Sequence, residues 1–171
     1  MYMDCRIRPW RVEDAENLAA AINNINVQDN LRDGLPYPYT LEDAKAYITT
    51  MLLANKETTY AFAITFEDKA IGSIGVFRRD NIHFRTAEMG YYIAEPYWGK
   101  GFGTAAINQT CDYIFEHTDI IRIFAEPFAG NAASCRILEK AGFQCEGILR
   151  QNAIKNGRIM DMKMYALIKK P

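Results

Sequence analysis

The sequence predicts an α+β fold: one open, mixed, mostly antiparallel sheet of seven strands, flanked by four to five helices, in a single domain over residues 1–171. Three observations carry that expectation. Tyr60 to Phe66, Ile71 to Phe77 and Phe84 to Ala94 read as consecutive strands joined by connections short enough to be hairpins. Ile121 to Glu126 is apolar on both faces and follows a helical stretch, so it reads as a buried strand parallel to its predecessor. Between those blocks, Gly99, Gly101 and Gly103 alternate in a short loop that leads into a helix.

In chain order, Met3 to Arg8 reads as a short strand, and Ala15, Leu18, Ile22 and Ile25 recur at helical spacing. Leu35-Pro36-Tyr37-Pro38-Tyr39 is an extended loop, because each proline pushes the residue before it out of the α region. Thr40 with Asp43 three residues later begins a helix in the manner of a capping box, and Leu41, Ala44, Ile48, Met51 and Leu52 give it one apolar face. Glu67-Asp68-Lys69 turns the first hairpin. After the glycine loop, Thr104 to His117 forms a helix with Ile107, Cys111, Ile114 and Phe115 inward. Asn131 to Lys140 is a short helix closed by Gly142. Phe143 to Asn152 and Ile159 to Ile168 pair across Lys155-Asn156-Gly157, where Asn-Gly signals a type I′ turn.

Composition narrows the function. The formal net charge is −1 and there is no Lys/Arg block, which argues against nucleic-acid and membrane partners. Asp4, Arg6 and Arg8 interrupt any signal-like apolar run, so the chain reads as soluble and cytoplasmic. Cys5, Cys111, Cys135 and Cys145 form no C-x-x-C pair, and the two histidines, His83 and His117, are isolated, so no metal site is expected.

The glycine loop is the strongest chemical signal. Backbone N–H groups without a Cβ in the way can approach a phosphate, and a helix N-terminus adds the positive end of its dipole. A tight turn made only for packing would need the same glycines. A Walker loop is excluded because Lys100 precedes Gly101 rather than Ser or Thr. Gly101-Phe102-Gly103-Thr104-Ala105-Ala106 fits the Rossmann form, but Glu95-Pro96-Tyr97-Trp98 separates it from the preceding strand, which weakens a nicotinamide-binding reading.

The order of elements, together with Tyr92-Ile93-Ala94-Glu95-Pro96-Tyr97-Trp98-Gly99-Lys100-Gly101-Phe102-Gly103-Thr104, resembles the GNAT superfamily of N-acetyltransferases, and within it the ribosomal-protein alanine N-acetyltransferase branch. Ala87-Glu88-Met89-Gly90-Tyr91, Asn131-Ala132-Ala133-Ser134 and Leu138 to Gly147 extend the likeness over nearly the whole chain. The resemblance implies a splayed central pair of parallel strands, acetyl-CoA as donor and an amine as acceptor, with a protein N-terminus the leading acceptor and polyamine or antibiotic amines the rivals. It implies that Trp98, Gly99, Lys100, Gly101, Phe102, Gly103 and Thr104 wrap the pyrophosphate, that Ile93 and Ala94 bind the pantetheine, and that Asn131 supports the cofactor while capping its helix. The exposed ends of such sheets often pair, so a homodimer is compatible with it.

Acyl transfer also needs a neutral amine and a stabilised thiolate. Ser134 is the candidate for the thiolate, with a first-turn structural role as the alternative. Relatives outside the branch use a tyrosine four residues further on, where this chain has Leu138. Glu88 is the candidate base, its face shared with Gly90 and Tyr92, and an ion pair with Arg85 or a neighbouring strand is the alternative. Some members of the branch carry a glutamate where this chain has Ala153, and many carry Thr-Glu-Ala at Thr104-Ala105-Ala106; the first departure bears on the base. Tyr37, Tyr39 and Tyr92 are expected along the acceptor cleft, with plain packing on the sheet as the alternative. A non-catalytic acyl-CoA-binding module remains the reading outside enzymes.

Overall fold

The computed structural model describes residues 4–171. Seven strands form one sheet: β1 (Cys5–Pro9), β2 (Thr59–Phe66), β3 (Lys69–Arg78), β4 (Thr86–Ile93), β5 (Arg122–Ala125), β6 (Gln144–Lys155) and β7 (Arg158–Ile168). Their spatial order is β1-β2-β3-β4-β5-β7-β6. Among the described strands β4 and β5 run parallel, joined by the crossover through α4 (Phe102–His117), and every other neighbouring pair is antiparallel, including β1 and β2, whose connection is also helical.

Turn chemistry fixes the hairpins. Glu67 and Asp68 both take positive φ between β2 and β3, as do Asn156 and Gly157 between β6 and β7, the geometry whose twist matches paired strands. β7 lies between β5 and β6, so the last hairpin enters the sheet by its second strand. β6 is the outer edge, and its register slips between Leu149 and Ala153.

Alternation along the strands divides the apolar residues between two faces. One core gathers Ile64, Val76, Ala87, Met89 and Ile93 beneath α4 (Phe102–His117) and α5 (Ala132–Lys140). The other gathers Ala63 and Ala70 beneath α1 (Ala15–Ile22) and α3 (Leu41–Leu53), with Tyr92 packed against it. Thr40 and Asp43 close a reciprocal capping box at the start of α3. Arg8 grips the buried Asp14 through two hydrogen bonds of 2.8 Å and so ties β1 to the start of α1.

The structure moves several sequence-based boundaries. Ile25 does not continue α1: the helix ends at Ile22, and Asn24 caps a separate turn, α2 (Ile25–Gln28), with Ile25 exposed at its first position. Phe84 lies in a turn before β4. α4 begins at Phe102, so Gly103 and Thr104 belong to its first turn. The Met3 end of the expected first strand lies outside the described residues. Among the described residues, no helix is long and apolar enough to cross a membrane.

Candidate functional site

The site begins where the β4–β5 ladder stops. The two strands are paired only from Thr86↔Arg122 to Glu88↔Phe124. On its other side β4 stays paired with β3 up to Gly72↔Ile93. Backbone groups alternate between the two neighbours of a strand. The Thr86 carbonyl accepts from Arg79 N–H and Ala94 N–H donates to the Ile71 carbonyl, each at 2.8 Å, so the even-numbered residues of β4 serve β3. Tyr91 and Ile93 therefore turn their N–H groups toward the gap left by β5. The Ile93 carbonyl accepts from the Trp98 indole N–H at 2.7 Å. Of the two residues expected on the pantetheine, Ile93 offers an N–H to the gap, whereas that of Ala94 is spent on β3.

The glycine loop follows directly. Gly99 and Gly101 take φ of +71° and +83°, a region that favours residues without a Cβ. Gly101 precedes α4 with no side-chain cap, and the first intrahelical bond runs from Ala105 N–H to the Gly101 carbonyl. The N–H groups of Phe102, Gly103 and Thr104 thus have no partner within the helix, and no acidic residue lies in its first turn. An uncapped N-terminus on a 16-residue helix, beside two left-handed glycines, suits an anion. Phe102 anchors the turn by packing against Phe66 and Tyr97. The exposed Lys100 ammonium lies 5.8 Å from the Tyr97 ring centre. Gly103 does not have positive φ; it lets α4 lie against Ile137 of α5 and Ile93 of β4. The Glu95 carboxylate accepts from the Asn24 and Asn26 amides, and these bonds hold its pKa below the usual range.

Asn131 caps α5 by accepting from Ser134 N–H at 3.2 Å. The Ser134 hydroxyl lies 2.6 Å from the Tyr91 hydroxyl, which reaches it from β4. Burial pushes the Tyr91 phenol up to about 12, against a smaller opposing effect of its bond to Ser134. Leu138 is fully buried in the core beneath the helix.

Glu88 projects from the opposite face of β4. Its carboxylate pairs with Arg32 and, at 3.4 Å, with Arg79. Arg85 instead donates to the Asp119 carbonyl at 2.7 Å, so the ion pair open to Glu88 in the sequence is made with other partners. Arg32 reaches in from the loop after α2 and also lies 3.5 Å from Glu126, just past β5. These residues line a cleft of about 430 Å³ with Asp33, Phe128, Asn152, Ala153, Lys155 and Met162. Lys155 donates to Asp33 at 2.8 Å and Asn156 to Asp29 at 3.1 Å, so the β6–β7 turn is tied to that same loop.

The three tyrosines expected on the acceptor side are not among the residues lining this cleft. Tyr37 is exposed on the Pro36–Pro38 loop, while Tyr39 is buried and Tyr92 packs against the α1/α3 core beside it. Burial pushes Tyr39 up to about 12 and Tyr92 well above its ordinary value. The structure brings Glu88 to the cleft, Asn131, Ser134 and Ile93 to the other side of the gap, and Trp98 to Thr104 to its end. Sequence reasoning missed Arg32, Glu126 and Tyr91. For Tyr91 a signal existed, since alternation puts it opposite Glu88 on the face where α5 packs; for Arg32, 56 residues from Glu88, there was none.

Residues 5–144 match the family model described as the acetyltransferase (GNAT) domain. The chain belongs to that family. Among curated relatives, a probable N-acetyltransferase of Bacillus subtilis is 32% identical, covering 95% of this chain and 92% of its own length. A putative ribosomal N-acetyltransferase of the same organism is 31% identical over 96% of this chain and 91% of its own. A spermidine N(1)-acetyltransferase of Vibrio cholerae is 35% identical over 57% of this chain and 56% of its own. The crystal structure of the ribosomal-protein-S5-alanine acetyltransferase of Vibrio fischeri superposes with a TM-score of 0.86 at 23% identity, covering 100% of this chain and 98% of that one. That likeness establishes a GNAT fold. The parallel pair that the resemblance implied is β4 and β5, whose pairing ends at Glu88 and Phe124.

Proposed function

We propose that this GNAT acetyltransferase moves an acetyl group from acetyl-CoA to the α-amine of a protein or peptide N-terminus. The charge balance of the acceptor cleft carries the choice of acceptor. Its lining holds three carboxylates, Asp33, Glu88 and Glu126, and three cations, Arg32, Arg79 and Lys155, and every carboxylate already has a cationic partner. A polyamine bearing several positive charges gains most from unpaired carboxylates, whereas a single α-ammonium needs to displace only one guanidinium.

The residues fit the donor. The N–H groups at the start of α4, with the backbone of Gly99 and Gly101, would hold the pyrophosphate. The N–H groups of Tyr91 and Ile93 would bind the pantetheine and polarise the thioester carbonyl, the kind of preorganised donor that gives the largest catalytic benefit. Asn131 would orient the turn that presents Ser134, and Ser134 would donate to the departing thiolate. Glu88 would accept the amine proton, directly or through water, once Arg32 has moved aside. The amine nitrogen forms its bond to the acetyl carbon, the carbon–sulfur bond breaks, and its electron pair leaves on sulfur.

The α-amine also suits an enzyme whose base is tied up in ion pairs. Its reference pKa is about 7.7–8.0, against about 10.4 for lysine, so a far larger fraction is neutral at pH 7. The deciding experiment measures thiol release from acetyl-CoA over a panel of amines. Peptides with a free N-terminal Ala or Ser should turn over faster than N-capped lysine peptides. Faster turnover of spermidine, a second reading in which the polyamine would displace Arg32 from both Glu88 and Glu126, would overturn the acceptor while leaving the donor standing. Thermal stabilisation by acetyl-CoA without thiol release on any amine would favour a binding module.

A further inference from the structure

We propose that Tyr91 is a positioning residue for the reaction, directing the Ser134 hydroxyl proton at the departing thiolate. The inference rests on the reading that Ser134 serves the thiolate.

A serine hydroxyl has one proton and rotates freely, so a serine alone divides its time among acceptors. In the first turn of a helix its usual acceptors are nearby backbone groups. Here the Ser134 oxygen is engaged at 2.6 Å by the Tyr91 hydroxyl. The phenol is the more acidic of the two groups, so Tyr91 donates and Ser134 accepts. Among the described residues the Tyr91 proton has one other acceptor within reach, the Ser134 backbone carbonyl at 3.4 Å, a longer contact that keeps the phenol against the same turn. With its lone pair occupied from the β4 side, the serine is left to donate away from Tyr91. The chain Tyr91 O–H to Ser134 O–H to sulfur polarises in one direction, which strengthens its last bond.

Two further features hold the arrangement. Asn131 fixes the Ser134 main chain from the other end of the turn. Tyr91 also belongs to the stretch of β4 whose backbone N–H faces the gap, so one residue presents a main-chain donor to the gap and a side-chain donor to the serine beside it. Tyr91 stays protonated at working pH, since burial pushes its phenol up to about 12. No proton is transferred along this chain: both hydroxyls keep theirs, sulfur leaves with the electron pair of the broken bond and accepts a hydrogen bond, and the proton lost by the amine goes to Glu88 or water. The tyrosine lost from α5 at Leu138 is thus replaced in part from β4, acting through Ser134 rather than on sulfur.

The test uses free CoA as the probe, so it does not depend on the acceptor. A hydrogen bond to the bound thiolate lowers the pKa of the bound thiol below that of free CoA, so CoA affinity rises with pH through the alkaline range in which the thiol ionises. Calorimetric titrations from about pH 7 to 9.5 should show that rise in the wild type and its loss in Ser134→Ala, Tyr91→Phe and the double variant alike. With acetyl-CoA and the best amine, Tyr91→Phe should lower kcat roughly tenfold with KM for acetyl-CoA unchanged, and should cost nothing more in the Ser134→Ala background. Retention of the rise in Tyr91→Phe, or a further loss in the double variant, would make Tyr91 merely structural. Retention of the rise in Ser134→Ala, or no rise in the wild type, would overturn the role of Ser134 and this inference with it, leaving acetyl-CoA as donor untouched.

Discussion

Gly103 and Ile137 meet so closely that a Cβ on Gly103 would stand 3.1 Å from Ile137 Cδ1 and 3.3 Å from its Cγ2. The third glycine of the loop therefore sets how near α4 lies to α5, and so how near the anion-facing helix end lies to the turn that carries Ser134. Gly103→Val should destabilise the fold by about 1–3 kcal/mol through overpacking. Thermal denaturation of Gly103→Val with and without Ile137→Ala measures the coupling, and the penalty should shrink in the double variant.

Gly101 acts differently. At φ +83° any side chain is strained, at roughly 1–2 kcal/mol. Gly101→Val should weaken acetyl-CoA binding by about tenfold or more, because the N–H groups facing the phosphates would shift or be covered. Titration calorimetry on a variant that still melts cooperatively checks this. Lys100→Ala should cost less, since an exposed ammonium is a flexible point charge.

Stability should fall on the alkaline side. Burial pushes Tyr39, Tyr91 and Cys111 each up to about 12, from ordinary values of 10.0, 10.0 and 9.0. The unfolded chain therefore releases these protons first, and the stabilisation is complete below about pH 9 and lost as pH climbs toward 12. Urea midpoints should hold steady from about pH 7 to 9 and then decline. Tyr39→Phe with Tyr91→Phe should flatten the decline.

In the proposed mechanism Arg32 would compete with the acceptor for Glu88. An exposed ion pair is worth at most about 1 kcal/mol, so Arg32→Ala should lower the acceptor KM by no more than about fivefold, and high salt should erase the difference. Glu88→Gln should depress turnover of lysine peptides more than that of free N-termini, because only the former depend strongly on a base. Parallel kinetics on both peptide classes decide it.

Legibility in the sequence followed the range of the interaction. The Thr40–Asp43 cap and the Asn156-Gly157 turn are encoded within four residues, and both were readable. The break after Ile22 was not, because Ile25 continues the apolar spacing and only the Asn24 cap reveals a new helix. The start of α4 was read two residues late, since Gly103 looked like loop when its smallness serves helix packing. The charge pattern of the cleft depends on a loop, two strand ends and a hairpin tip far apart in the chain. Nothing local marks Arg32 or Glu126 as neighbours of Glu88, and nothing in the tyrosine-rich loop reveals that Tyr39 turns inward while Tyr37 faces solvent.

The short β4–β5 ladder also has a mechanical meaning. β1 to β4 form one continuously bonded half of the sheet and β5, β7 and β6 another, and among the described residues their strands are paired along the short ladder from Thr86↔Arg122 to Glu88↔Phe124, with Ile121 N–H donating to the Arg85 carbonyl just before it. A ligand that accepts from the N–H groups of Tyr91 and Ile93 supplies the missing rungs of that seam. Amide exchange at those two residues should thus slow more than elsewhere when the donor binds, and the halves should come to melt as a single cooperative unit.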